Sequence, residues 1–186
     1  MPLFSFEGLT PQVHATAFLA PTATLVGDVI IEEGASVWYG AVIRADYAPV
    51  IVRARANVQD NAVIHGPPGL TSDIGAGATV GHNCVVHGSI LEEECIVANG
   101  SVVLDGATIG ARALVAAGSV VRAGSKIPAG MLAVGAPAEV KRPVKGTGAE
   151  MWVQLNPGAY AELAQRHRVG IRFVDRPDDS DDDGGG

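Results

Sequence analysis

The sequence predicts an all-β chain: a left-handed parallel β-helix of hexapeptide repeats with a C-terminal α-helical segment. Three periodic columns predict it. Aliphatic residues recur at every sixth position, as in Leu91, Val97, Val103, Ile109, Val115, Val121 and Ile127. Four residues after each aliphatic comes a small one, among them Ala35, Ala41, Ala62, Cys84, Cys95 and Ser101. Three residues after each aliphatic, Gly or Asn recurs, as in Gly34, Gly40, Asn61, Gly77, Asn83 and Gly100. Gly and Asn tolerate φ > 0, so this position turns a corner. A large inward residue, a corner and a small inward residue describe a flat-sided coil of about three hexapeptides per turn, stacked as parallel sheets. The composition agrees: 47% hydrophobic, only 5% aromatic and 24 glycines suit many small, similar layers.

Taken in order, the aliphatic column runs through Val13, Leu19, Leu25, Ile31, Val37 and Ile43. It resumes at Val52, Val58 and Ile64, then at Ile74, Val80 and Val86; the step to Leu91 is one residue short. The two interruptions, Arg44 to Ile51 and His65 to Asp73, are expected as loops ejected from the coil, where function tends to be carried. Val134-Gly-Ala-Pro-Ala138 ends the coil. Thr147 and Glu150 form a capping box for a short helix. Asn156-Pro157 reads as the N-cap and first residue of a second helix to about Val169, or as a kink within one longer helix. The expected organisation is a β-helix carrying a metal site over 1–140, a linker and helix packing on the coil over 141–174, and a disordered acidic tail over 175–186.

Several classes are disfavoured. A formal net charge of −7 gives no electrostatic case for nucleic acid or an anionic membrane. The N-terminus lacks a basic and an apolar region of the kind a signal peptide needs, and no apolar run approaches spanning length. A cytoplasmic location is expected. Cys84 and Cys95 both fall in the small inward column, which predicts buried, inert thiols.

The histidines carry the chemistry. Counting repeats rather than residues, Ile43, Ile64 and Val86 share one face, so the residues that follow them, Arg44, His65 and His87, stack about 4.8 Å apart. His65 and His87 can therefore reach one ion from a single chain. Asp60 and His82 stack on another face. His82 lies a whole corner before His87 and should project from a different part of the surface. Chains packed around a three-fold axis would let His82 of one complete the site of its neighbour. Ligand number and softness suit zinc. His14 and His167 read as ordinary surface residues.

Three stretches, Val37-Trp-Tyr-Gly-Ala-Val-Ile-Arg-Ala-Asp46, Asn57-Val-Gln-Asp-Asn-Ala-Val-Ile-His65 and Val80-Gly-His-Asn-Cys-Val-Val-His-Gly88, resemble the γ-class carbonic anhydrase family. The resemblance covers nearly the whole coil. It implies a homotrimer with one metal at each subunit interface, zinc first and iron or cobalt as alternatives. His65 and His87 would be ligands from one chain and His82 the ligand from the next. It further implies that Gln59 orients the metal-bound water and that Arg44 and Asp46 form an ion pair near the interface, either structural or catalytic. Asn57 and Asp60 resemble residues surrounding the ligands. Asn156 and Tyr160 are similar to residues that approach the pocket, although Tyr160 also suits plain helix packing.

The activity implied is reversible hydration of carbon dioxide to bicarbonate by a metal-bound hydroxide. The chain departs from the fullest pattern. Tyr47 follows Asp46, and the stretch from Gly66 to Asp73 contains no glutamate, whereas the best-equipped members carry proton-exporting glutamates in both loops. A shorter-loop subgroup of the family shares this lack, and its anhydrase activity is often weak or undetected. Three other readings stay open: a metal-dependent hydrolase such as a thioesterase, a hexapeptide acyltransferase, and a non-enzymatic assembly protein. Acyltransferases commonly use a single histidine base, which the stacked pair plus His82 argues against.

Overall fold

Two-residue aliphatic strands separated by corners have one way to pair their backbones, which is with the same repeat one coil above and below. A computed structural model describes residues 2–174, so the acidic tail expected at 175–186 lies outside the described residues. In it, Thr79–Val80 pairs in parallel with Asn57–Val58 on one side and Ile96–Val97 on the other. Repeated through the chain, this pairing builds a left-handed parallel β-helix of about seven coils with three flat faces.

The first face carries Val63–His65, Val85–His87, Val102–Val103 and Val120–Val121, and the second carries Ser72–Ile74, Ile90–Leu91, Thr108–Ile109 and Lys126–Ile127. The third face runs from Phe18–Leu19 to Met131–Val134, where Glu139–Pro143 closes it as an antiparallel edge. Inward aliphatics such as Leu25, Ile43, Ile64, Ile74, Leu91 and Ile109 are fully buried in one continuous core. Each such side chain contributes about 1.5–3 kcal/mol through burial. Cys84 and Cys95 sit in that core as free thiols. Every corner glycine and asparagine named above has positive φ.

The chain departs from expectation at the first interruption. Arg44 to Ile51 is no ejected loop; Val42–Val52 is one continuous strand beside Thr24–Ile31. The register jumps from Gly27 opposite Ala45 to Val29 opposite Val50, so Asp46–Pro49 bulges out against Asp28 alone. The second interruption is a turn between Val63–His65 and Ser72–Ile74. Gly66 lets this turn approach the bulge of Val42–Val52: a Cβ there would lie 2.1 Å from the Ala48 carbonyl oxygen, and the Gly66 N–H donates to Arg44 O at 3.1 Å.

The C-terminal segment is one helix, Gly148–Gly170, with Pro157 inside it, so the reading of two helices is corrected. Asn156 is no N-cap because its side chain is spent elsewhere: buried, it donates Nδ2–H to Thr79 Oγ1 at 2.6 Å. Thr147 caps the helix by accepting from the Ala149 N–H, while Glu150 reaches back to the N–H of Gly146 rather than that of Thr147. The helix crosses the stacked strands of the third face. Val153 packs with Ile96 and Val144 at one end, and Ala164 packs with Phe18 and Trp38 at the other. His167 is likewise no simple surface residue. Its ring meets Phe18, Trp38 and Tyr39, and its Nδ1 lies 3.0 Å from the Tyr39 hydroxyl. Among the described residues, no helix is long and apolar enough to cross a membrane.

Candidate metal centre

The parallel ladder of the first face puts Arg44 opposite His65 and His65 opposite His87. His65 Nδ1 lies 2.9 Å from His87 Nε2, with ring centroids 4.9 Å apart. The outer nitrogens face carboxylates: His65 Nε2 lies 2.8 Å from Asp46 Oδ1, and His87 Nδ1 bonds Asp105 Oδ1. Asp46 is in turn paired with Arg44. Burial pushes the Asp46 carboxyl up, but hydrogen bonds from His65 and Arg44, with the guanidinium charge, outweigh that and hold it below the usual carboxylate range.

An ionised carboxylate can only accept, so the imidazole nitrogen facing it carries the proton. In the neutral rings that leaves the inner nitrogens, His65 Nδ1 and His87 Nε2, with lone pairs aimed at each other. Such a contact is repulsive unless a cation or a proton lies between. Two nitrogens on one tetrahedral zinc stand about 3.3 Å apart, given bonds of about 2.0–2.1 Å. The observed 2.9 Å is within a few tenths of an ångström of that spacing. The donor set fits a borderline-soft divalent ion.

His82 belongs to a second cluster, at the corner between the third and first faces. Its Nδ1 lies 2.9 Å from Asp60 Oδ2, so by the same reasoning Nδ1 carries the proton and Nε2 is the free donor atom. Tyr160, from the helix, brings its hydroxyl to 3.5 Å from that Nε2. Burial first, and the Asp60 charge second, raise the Tyr160 phenol, so it remains a proton-bearing donor near neutral pH. Behind His82 lies a buried amide chain. Gln59 Nε2–H donates to Asn57 Oδ1 at 2.9 Å, and Asn57 Nδ2–H donates to Thr79 Oγ1 at 2.9 Å. With Nε2 held this way, Gln59 turns its carbonyl oxygen toward the cleft it lines beside His82.

The candidate residues thus fall into two half-sites on two edges of the prism: Arg44, Asp46, His65 and His87 on one, and Asn57, Gln59, Asp60, His82, Asn156 and Tyr160 on the other. Among the described residues, no group of three or more His, Cys, Asp or Glu converges as a metal site within the chain. Sequence reasoning missed Asp105, Thr79 and Trp152. Counting one coil past His87 reaches Leu104 and then Asp105, so register alone could have found the aspartate. Nothing in the local sequence marks Thr79.

The chain is 44% identical over 140 residues to a carbonic anhydrase of Geobacillus kaustophilus, spanning 75% of this chain and 77% of that protein. The chain belongs to the γ-class carbonic anhydrase-like family. Another member resembling this γ-class chain is the carnitine operon protein CaiE of Escherichia coli, 39% identical over 173 residues, covering 92% and 87% of the two chains. Among solved structures, a Bacillus cereus protein provisionally named an acetyltransferase superposes with a TM-score of 0.87 at 34% identity, covering 89% and 96% of the two chains. A hexapeptide transferase family protein of Anaplasma phagocytophilum gives 0.81 at 34% identity, covering 88% and 96%. A comparison with protein-family models finds no match. The relatives place this γ-class chain in an enzyme family of the hexapeptide-repeat type.

Proposed function

We propose that this chain forms a trimeric, metal-dependent carbonic anhydrase-like enzyme whose centres are each completed by two subunits. One observation carries the reading: the two half-sites flank a single apolar face. The outward residues of the first face are Val42, Val63, Val85, Val102 and Val120, a valine ladder in which Val63 stays 41% exposed. Turning this face toward a three-fold axis buries the ladder and brings the His65–His87 edge of one chain against the His82 edge of the next, a closed heterologous ring.

His65 and His87 of one subunit and His82 of its neighbour would hold the ion, zinc first, with iron or cobalt as alternatives. When bound, such an ion supplies a water acidic enough to ionise near neutral pH, a value established for carbonic anhydrase itself. The other residues act around it. Asp46, Asp60 and Asp105 fix the imidazole tautomers. The free oxygen of Gln59 would accept a hydrogen bond from the attacking water and so orient it, held to that task by Asn57 and Thr79. Tyr160 donates toward the substrate oxygen. Arg44, 46% exposed at its side chain, holds Asp46 in place and offers positive charge to departing bicarbonate. Proton export without loop glutamates falls to solvent at the bulge, where Tyr47 is 69% exposed.

Stopped-flow carbon dioxide hydration on anaerobically metal-loaded protein tests this reading. Hydration above the uncatalysed rate, lost in His82→Ala and lowered about 100-fold in Gln59→Ala, is expected. Full metal occupancy with no hydration would reject it.

A further inference from the structure

A cleft of about 450 Å³ leads away from His82 along the outside of the third face. Its polar end holds Gln59, His82 and Tyr160. Its floor runs over three successive coils, from Thr79 at the polar end to the apolar Ile96 and Leu114, so it extends about 10 Å at two inter-strand spacings. The wall is one stripe of the helix, Trp152, Asn156 and Tyr160, spaced four apart. Trp152 keeps its indole 67% exposed over that floor. Among the described residues, no Lys, Arg, Asp or Glu lines the cleft; Thr79 and Asn156 are hydrogen-bonded to each other at 2.6 Å, and Asn99 accepts the His82 backbone N–H at 3.2 Å.

A triatomic gas has no use for such a space, whose volume falls in the range of sites for drug-sized ligands. The absence of charge along the far end disfavours a phosphate or carboxylate there, and the single polar end suits a molecule with one polar terminus. We propose that this cleft binds a linear medium-chain acyl group, its carbonyl oxygen accepting from the Tyr160 hydroxyl at the polar end and its chain laid over Ile96 and Leu114 beneath Trp152. The inference uses the proposed metal site only to say where the carbonyl lies; the chain itself is held by apolar burial and needs no ion. The ligand class of the cleft is therefore acyl compounds, taken in addition to carbon dioxide, with any bulky charged carrier projecting from the polar end into solvent.

The full-length protein, metal-free and metal-loaded, is titrated by calorimetry with acetate, hexanoate and decanoate, and Trp152 fluorescence is followed in parallel. Affinity rising about four-fold per methylene is expected in both forms. Ala117→Phe, which narrows the cleft at an exposed position, should abolish the chain-length dependence while leaving metal content unchanged. Equal affinity for all three carboxylates in the assembled protein, as when a neighbouring subunit fills the cleft, would overturn the proposal. Wild-type protein that shows the chain-length dependence but takes up no metal when loaded would reject the metal reading and leave this one standing. Metal binding without chain-length dependence would do the reverse.

Discussion

Asp105 governs His87 by accepting from Nδ1, which leaves Nε2 as the only donor atom the ring can offer inward. Asp105→Ala should keep the fold, since the side chain is 46% exposed, yet weaken metal affinity about 10–100-fold in a chelator competition. Unchanged affinity would remove Asp105 from the site. The stacking of His65 on His87 is legible from counting repeats, because one period fixes which residues meet. Asp105 is not, because an aspartate on an exposed corner looks like any other acidic surface residue. The cysteines show position prevailing over residue type. Burial pushes both thiols up, Cys95 further than Cys84. An acid that holds its proton more tightly when folded contributes stability below its free value, near 9 for a thiol, and loses it as pH rises beyond. Stability should therefore fall above about pH 9 by less in Cys95→Ala than in wild type, read from urea midpoints across pH. Equal falls would contradict the assignment.

At the level of elements, the corners were legible wherever Gly or Asn announces positive φ. Arg55, Glu94 and Arg112 take the same conformation at the same place in their repeats, three residues after Val52, Leu91 and Ile109. Their residue types conceal it; the coil imposes it, and the Arg112–Glu94 ion pair joins two such corners one coil apart. The ejected loop failed as an expectation for a related reason. Extra residues in a parallel ladder can be absorbed as a bulge when a neighbour such as Gly27 admits the close approach, and there a Cβ would sit 2.2 Å from the Ala45 carbonyl oxygen. The unbroken helix runs against local signals, since Asn-Pro favours a new start and proline removes a helical hydrogen bond. Docking overrides them: Thr79 Oγ1 accepts from both Asn57 and Asn156, tying the helix to the amide chain of the site. Asn156→Ala should cost about 1–2 kcal/mol in urea unfolding. It should also loosen the helix, seen as faster amide exchange over 148–170. Wild-type stability in that variant would mean the helix is held by its apolar ends alone.

For the whole molecule, the apolar first face between two incomplete half-sites ties assembly to chemistry. Val85→Asp places a charge in the middle of the ladder, outside the buried core. It should yield monomers by light scattering that retain a folded circular dichroism spectrum and hold no stoichiometric metal. Metal-replete monomers would break the link. The prism and its repeat were legible because a short period, many times repeated, leaves few ways to pair a backbone. The complementarity of its two edges was legible only in part, because it depends on how the faces are turned, which no single repeat records. Subunit complementation measures that relation directly. His82→Ala and His87→Ala chains, each depleted of metal alone, are unfolded, mixed in equal amounts and refolded together. Sites shared between neighbours in a ring of three predict metal at about one quarter of the centres, since half the chains supply each intact edge. A mixture as empty as its two components would contradict the shared site.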